Sequence, residues 1–301
     1  NYTLRPDNLR DISGNSISLP PYRLSFQLID AVWIGTAGRW DDPANWESGH
    51  VPQAGDRVFV SRPASGSVSV TGDVLIAGVE IEYGTDLSIS GGSWRVTDSL
   101  SFQGGGSLTL GDGGAISGTQ SRPILLGGVW GIRVNSSAGS PASLTWVQVQ
   151  ADVELGDAYD SNGTTGTLIL RNVEFRSADV LVSRGSTLVL DSDLLLDRAF
   201  LEFYGGDAND PRQPSRLELQ GNLIDGRGYL HLGNTYSGVP LAGGPHVSAI
   251  EGPGTIGTDI KVYIGGNTII GTQVPAPPGG APIINKGWIE IYDGTTTVNL
   301  P

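Results

Sequence analysis

A short apolar triplet recurs along this chain of 301 residues at nearly constant spacing. The clearest copies come in two pairs, Leu87–Ile89 with Leu108–Leu110, and Leu168–Leu170 with Leu188–Leu190. Apolar residues at positions i and i+2 are typical of a strand with one buried face. A period of about 20 residues that holds several short strands indicates stacked coils, so most of the chain should form a solenoid.

The predicted fold is all-β, a right-handed single-stranded parallel β-helix spanning residues 67–301. At about 22 residues a coil, this range makes about ten coils, and at about 4.8 Å a coil the rod is about 50 Å long. Glycine clusters such as Gly104–Gly106 and Gly111–Gly114 mark the expected corners, where positive φ angles are needed. Residues 157–163, 205–214, 234–248 and 272–282 interrupt the period and are expected to leave the rod as loops.

Charge and composition exclude several classes of protein. The net charge is −13, whereas binding to nucleic acid or to an anionic membrane requires a basic surface. The chain has no cysteine, which excludes disulfides and thiolate metal sites. No apolar run approaches the length of a membrane span, so membrane insertion is not expected either.

Three tryptophans, Trp33, Trp40 and Trp46, lie close together in the segment 31–66. The first coil of a solenoid would otherwise expose its core and its strand edges, so we predict that this segment is a structural cap. The alternative is a carbohydrate-binding module in which the indoles stack on sugars. Exposure of the three indoles would distinguish the two interpretations.

Two segments carry a resemblance to known proteins. The series Trp33-Ile34-Gly35, Gly38-Arg39-Trp40, Asn45-Trp46 and Gly55-Asp56-Arg57-Val58 resembles the segment that precedes β-helical regions in autotransporter-like bacterial exoproteins. The ending Ile284-Asn285-Lys286-Gly287 is similar to coils of filamentous-haemagglutinin-type, pectin-lyase-like β-helices. The resemblance implies an extracellular or cell-surface protein with a structural, adhesin-like role.

Residues 1–30 resemble the last two strands of a bacterial Ig-like domain, with alternation in Tyr22–Leu28. An isolated strand pair is marginal in water, and an open edge attracts a further strand. We therefore predict head-to-tail self-association into a homopolymer; the alternative is that the chain is part of a longer surface protein. The residues expected at this contact are Tyr22, Leu24, Phe26, Leu28, Ile289 and Ile291.

Catalysis is the main rival to a structural role, because β-helices also carry polysaccharide lyases and hydrolases. Asp191, Asp193 and Asp197 lie close to Arg198, and two carboxylates on one face could act as general acid and base. Alternation also places charged residues on the outside of any solenoid, so a solvated face is the expected interpretation. The three histidines, His50, His231 and His246, have no metal-ligand spacing. We expect no catalytic site.

Calcium is the one ion that the sequence suggests. Two acidic loops each offer several hard oxygen ligands, namely Asp157, Asp160 and Asn162 in one and Asp207, Asn209 and Asp210 in the other. Neither loop matches an EF-hand, and turns rich in Asp and Asn satisfy their own backbone without metal. No other cofactor is expected, and the remaining partner suggested is a polysaccharide or a cell surface.

Overall fold

The computed structural model describes residues 29–36, 38–61, 67–156, 164–204, 215–233, 247–265, 267–270, 283–286, 288–293 and 296–298. The strand pair predicted before residue 29 lies outside this part, as do the predicted loops 157–163, 205–214 and 272–282 and most of 234–248. The described residues are all-β: their only helical element is a short 3₁₀ turn, Pro43–Asn45, which Asp42 caps by accepting from the Ala44 N–H at 2.9 Å.

Strands follow one another along the whole described chain. The first thirteen are β1 (Ala31–Trp33), β2 (Gly38–Arg39), β3 (Arg57–Val60), β4 (Ser67–Val70), β5 (Val74–Ile81), β6 (Asp86–Ile89), β7 (Ser93–Phe102), β8 (Ser107–Leu110), β9 (Ala115–Ser117), β10 (Ile124–Leu126), β11 (Gly131–Val134), β12 (Ala142–Val149) and β13 (Val153–Leu155). The others are β14 (Thr167–Arg176), β15 (Asp179–Val182), β16 (Thr187–Leu190), β17 (Leu194–Phe203), β18 (Ser215–Glu218), β19 (Leu223–Leu232), β20 (Val247–Glu251), β21 (Gly254–Ile256), β22 (Ile260–Gly265), β23 (Asn267–Ile270), β24 (Ile283–Asn285), β25 (Trp288–Asp293) and β26 (Thr296–Val298).

These strands pair in parallel with strands of the next coil, which is the topology of a parallel β-solenoid. From β4 to β24, the coils visit three faces in the same order. Face A is the series β2, β4, β6, β8, β11, β13, β15, β17, β19, β22 and β25, with only the second halves of β17 and β19. Face B is the series β5, β7, β9, β12, β14, β16, β18, β20, β23 and β26, with the first halves of the long strands. Face C contains β1, β3, the second halves of β5 and β7, then β10, the second halves of β12 and β14, the first halves of β17 and β19, and finally β21 and β24.

The pairing register confirms the sequence period. Leu87 pairs with Leu108 on face A, and Leu168 pairs with Leu188 on face B. The two pairs of triplets therefore belong to different faces, which the spacing alone did not distinguish. The segment 31–66 is continuous with the stack, because β1, β2 and β3 extend faces C and A.

The core is a ladder of aliphatic side chains that runs inside the coils. The eight residues predicted to point inward are all buried, and they are Leu87, Ile89, Leu108, Leu110, Leu168, Leu170, Leu188 and Leu190. Aromatic side chains are buried mainly near the first coils and at Phe175 and Phe203. Because each coil packs on its neighbours, burial is continuous from Ala31 to Ile264.

Aspartates at the corners satisfy backbone donors of the next coil. Asp73 Oδ1 accepts from the Ser93 N–H at 3.0 Å, and Asp86 Oδ1 accepts from the Ser107 N–H at 2.9 Å. The Ser93 hydroxyl also donates to Asp73 and holds the pKa of that carboxyl below its usual value. Some of the acidic residues of this chain therefore stabilise the coil corners through hydrogen bonds to the backbone.

Asp98 on β7 accepts hydrogen bonds from two arginines of other coils. Arg57 on β3 and Arg122, which lies just before β10, both donate to its carboxylate. The hydrogen bond from Arg57 is the main reason why the pKa of Asp98 lies below its ordinary value.

Asp98→Asn should lower the free energy of unfolding by about 1 kcal/mol at pH 7, since a partly exposed charge network contributes modestly. The folded-state pKa is depressed, so this contribution is complete above the unfolded pKa of about 3.9 and disappears as pH falls through the lower folded value. Urea unfolding at pH 7 and pH 2.5 checks this, and an equal difference at both pH values would contradict it.

Candidate functional site

The indoles of Trp33, Trp40 and Trp46 form one packed cluster at the start of the solenoid. Trp46 makes edge-on contacts with the other two, with ring centroids 5.1 Å from Trp33 and 4.7 Å from Trp40. Trp40 also contacts Trp94 on face B at 5.2 Å. All four indoles are buried, as predicted for the first three, so their ring faces are not available to a sugar.

The same segment covers the outer edge of β1. The backbones of Trp46 and Trp33 form an isolated antiparallel β-bridge. The Ile34 N–H donates to the Asn45 carbonyl at 2.8 Å, and the Glu47 N–H donates to the Val32 carbonyl at 2.9 Å. An antiparallel neighbour satisfies the edge groups that the first parallel strand would otherwise leave free. The alternative of a sugar platform at these tryptophans loses its support.

Exposed aromatic side chains are found instead on face A. Trp130, which immediately precedes β11, is 76% exposed, and Phe200 on β17 is 41% exposed. The neighbours of Phe200 on β17 are buried, so its ring lies on the outer surface of the sheet. Trp130 lies beside β11 and lines a groove together with Asp86 and Arg133, which are outward residues of face A. We regard face A as the candidate functional surface, and it carries two shallow grooves.

The first groove, here called the cationic groove, has a volume of about 610 Å³. It is lined by Arg198, Phe200, Arg227, Gly228, Tyr229, Thr258, Asp259 and Lys261. Phe200 and Tyr229 are paired in register and stack with ring centroids 4.6 Å apart, and Tyr263 stacks on Tyr229 at 5.8 Å. The Lys261 ammonium lies 5.7 Å from the centre of the Tyr229 ring.

Positive charge in this groove is incompletely neutralised. Arg198 has a loose ion pair with Asp197 at 3.5 Å, and both side chains are exposed. Among the described residues, neither Arg227 nor Lys261 has an ion-pair partner. In a chain of net charge −13, cations on three successive coils form a local exception.

The second groove, here called the acidic groove, has a volume of about 420 Å³ and lies nearer the start of face A. Its lining includes Trp130, Asp86, Asp152, Glu154 and Arg133. Arg133 is 3.8 Å from Glu154, which leaves an excess of negative charge. Face A is therefore acidic around Trp130 and basic around Phe200 and Tyr229.

At the acidic groove, Asp152 and the neighbouring Asp179 occupy adjacent coils. The Asp179 N–H donates to Asp152 Oδ1 at 3.2 Å. Burial raises the pKa of the Asp179 carboxyl, and the charge of Asp152 raises it further. Farther along the same face, burial lowers the pKa of His231, against the opposing effect of Glu202.

The aspartates predicted near Arg198 have structural partners on different coils. Asp191 accepts from the Arg171 Nε at 2.8 Å on the preceding coil of face B. Asp193 Oδ1 accepts from the Leu223 N–H at 2.8 Å on the following coil. Among the residues that the structure describes, these carboxylates are not gathered with a histidine or a third acid.

Metal candidates find no support in the described residues, where no three His, Cys, Asp or Glu side chains are arranged to hold an ion. Both predicted calcium loops and His246 lie outside these residues. The His50 ring nitrogen contacts the Ser48 carbonyl at 2.8 Å, and His50 lies far from His231 in the stack.

The aromatic and cationic residues of face A were not predicted from the sequence. A signal was present, because Phe200, Tyr229 and Tyr263 each sit between two inward apolar positions, where an exposed polar residue is usual. Their long and unequal separations along the chain hid the alignment.

Comparison with protein-family models, with curated proteins and with solved structures finds no match for this chain. Among the residues that the structure describes, no helix is long and apolar enough to cross a membrane.

Proposed function

We propose that this chain is a structural, right-handed β-solenoid of the bacterial cell surface or extracellular space, acting as a rigid spacer or as a filament-forming subunit. The observation that carries the proposal is the unbroken parallel stack of eleven strands on face A. The right hand rests on the strong preference of parallel strand connections for that hand. The extracellular location rests on the resemblance of the tryptophan segment and of Ile284–Gly287.

A stack of this kind suits a spacer. Each coil contacts only its neighbours, so length grows with coil number while the cross-section stays constant. Eleven strands at about 4.8 Å give a rod of about 50 Å. The tryptophan cluster supports a capping role, since it covers the first strand edge.

Self-association at the other end is part of the proposal. Ile289 on β25 is in register with the buried Val262, yet it is 42% exposed. A parallel strand edge and an uncovered apolar position favour addition of another coil, either from a second copy or from further chain. Ile291 shares this strand; Tyr22, Leu24, Phe26 and Leu28, the predicted partners, lie outside the described residues.

The purified chain should release no reducing ends and no unsaturated products from a panel of neutral and acidic polysaccharides. The physical reason is that the described carboxylates with known partners, such as Asp98, Asp191 and Asp193, are engaged in ion pairs and hydrogen bonds between coils rather than gathered around a substrate. Chromatography of the digests, together with the length of the particle by small-angle scattering, tests this proposal.

The enzyme alternative has one observation in its favour, the neighbouring carboxylates of Asp152 and Asp179. Product formation that is lost in Asp152→Asn and Asp179→Asn, but kept in Asp191→Asn, would replace the structural proposal by a glycan-cleaving one. A compact particle much shorter than about 50 Å would contradict the rod.

A further inference from the structure

Face A combines three properties among its described residues. It is a sheet face, it exposes large aromatic side chains, and its two ends carry opposite charge. Exposed patches of this kind usually mark interaction sites. The remaining question is which partner fits both ends at once.

We propose that face A binds face A of a second copy of this chain, with the two solenoid axes antiparallel. The contact is isologous, with its two-fold axis parallel to the strands and located between β13 and β15. In such a contact each acidic groove meets the cationic groove of the other copy, and both meetings occur at once. This lateral contact is independent of the end-to-end association and of the proposed spacer role.

The coil order fixes which strands meet. With equal spacing of about 4.8 Å on both sides of the axis, β11 faces β17 of the other copy, β8 faces β19, and β6 faces β22. Because the axis runs along the strands, each outward position meets the equivalent position of the opposing strand. Asp86 then lies opposite Lys261, and Arg133 lies opposite Glu202.

The aromatic residues are matched in the same register. Trp130 lies opposite the Arg198–Phe200 end of β17, so an exposed indole meets a guanidinium and a second ring. Aromatic and arginine side chains are the residues most enriched in the energetically important part of protein interfaces. Charge complementarity selects this partner, because most of a chain with net charge −13 repels a further acidic surface.

Two features limit the affinity. Asp152 lies opposite Asp179 on each side of the axis, and like charges in an interface are unfavourable. The eight strands from β6 to β22 with their outward side chains bury about 1,000 Å² in total, which belongs to the weak, transient class of interfaces. A concentration-dependent dimer is expected rather than a permanent one.

Sedimentation velocity over a concentration series tests the contact by charge exchange at one pair. Lys261→Glu and Asp86→Lys should each raise the dissociation constant at least about tenfold, since two repulsive contacts form per dimer. An equimolar mixture of the two variants should recover association, because every contact again joins opposite charges. Lys286→Glu, the same change at the other lysine of the chain, is the matched control and should behave like the parent.

Two further variants keep the test decisive. Asp86 also accepts from Ser107, so Trp130→Ala serves as a second acidic-end variant, and circular dichroism verifies folding of each protein. Trp130→Ala should weaken the dimer about tenfold or more, whereas Asp179→Asn should tighten it. A parent that stays monomeric at high concentration overturns the proposal, as does a mixture that fails to associate. A monomer whose cationic groove binds a sulfated polysaccharide, with loss of binding in Lys261→Glu, would assign the groove to a soluble polyanion instead.

Discussion

Replacing Leu188 by Asp is expected to lower the free energy of unfolding by about 4 kcal/mol or more, the largest effect of any single change considered for this chain. Leu188 is fully buried and pairs in register with Leu168 on one side and Leu217 on the other. A carboxylate there would lie unpaired among aliphatic side chains. Because neighbouring coils stabilise one another, the damage should spread beyond a single coil.

Thr187→Asp is the matched control for that change. Thr187 is the adjacent residue on β16, it points outward, and it is in register with Arg216. The same new charge should therefore change stability by no more than about 0.5 kcal/mol. Chemical denaturation of both variants provides the measurement, and equal melting of Leu188→Asp and the parent would show that the inward register is wrong.

Trp40→Ala should destabilise the chain by about 3–5 kcal/mol, the usual cost of removing a large buried aromatic side chain. Trp40 touches both Trp46 and Trp94, so its loss opens a cavity between the entry segment and face B. The cost should appear in the unfolding of the first coils.

Trp130→Ala is the control for the tryptophan prediction, since it removes the same side chain from an exposed position. Measured at a concentration where the protein is monomeric, it should change the free energy of unfolding by about 0.5 kcal/mol or less. If Trp40→Ala melted like Trp130→Ala, the packed tryptophan cluster would not contribute to stability, and the proposed capping role would be untenable.

The tryptophan cluster could be predicted from the sequence, but the surface of face A could not. Trp33, Trp40 and Trp46 are close in sequence, and their density within one segment predicted a buried cap. Phe200, Tyr229 and Lys261 come from three different coils. Their contact depends on the number of residues between successive strands of face A, and this number cannot be read from the local composition.

The carboxylates show the same division. A run such as Asp191 and Asp193 suggested a shared role, yet one side chain turns to the coil before and the other to the coil after. Conversely, Asp152 and Asp179 are far apart in sequence and become neighbours through strand pairing. Proximity in the sequence is a poor guide to contact in a solenoid, because a side chain contacts residues of the adjacent coils, which are about 20 or more residues away in the sequence.

The sequence by itself determined the strands, the inward ladder and the corners of this protein. Alternation of apolar and polar residues is a local property, and it determines that Leu87 and Leu188 lie on the apolar face of their strands, the face that the stacked coils bury. Only the tertiary structure decided which outward residues share a face. The length of chain between successive face A positions varies widely, since the step from Val68 to Leu87 is much shorter than the step from Leu230 to Val262. Phe200, Tyr229 and Lys261 are nevertheless in register on three successive strands of face A, so their alignment on one surface exists only once the coils are stacked.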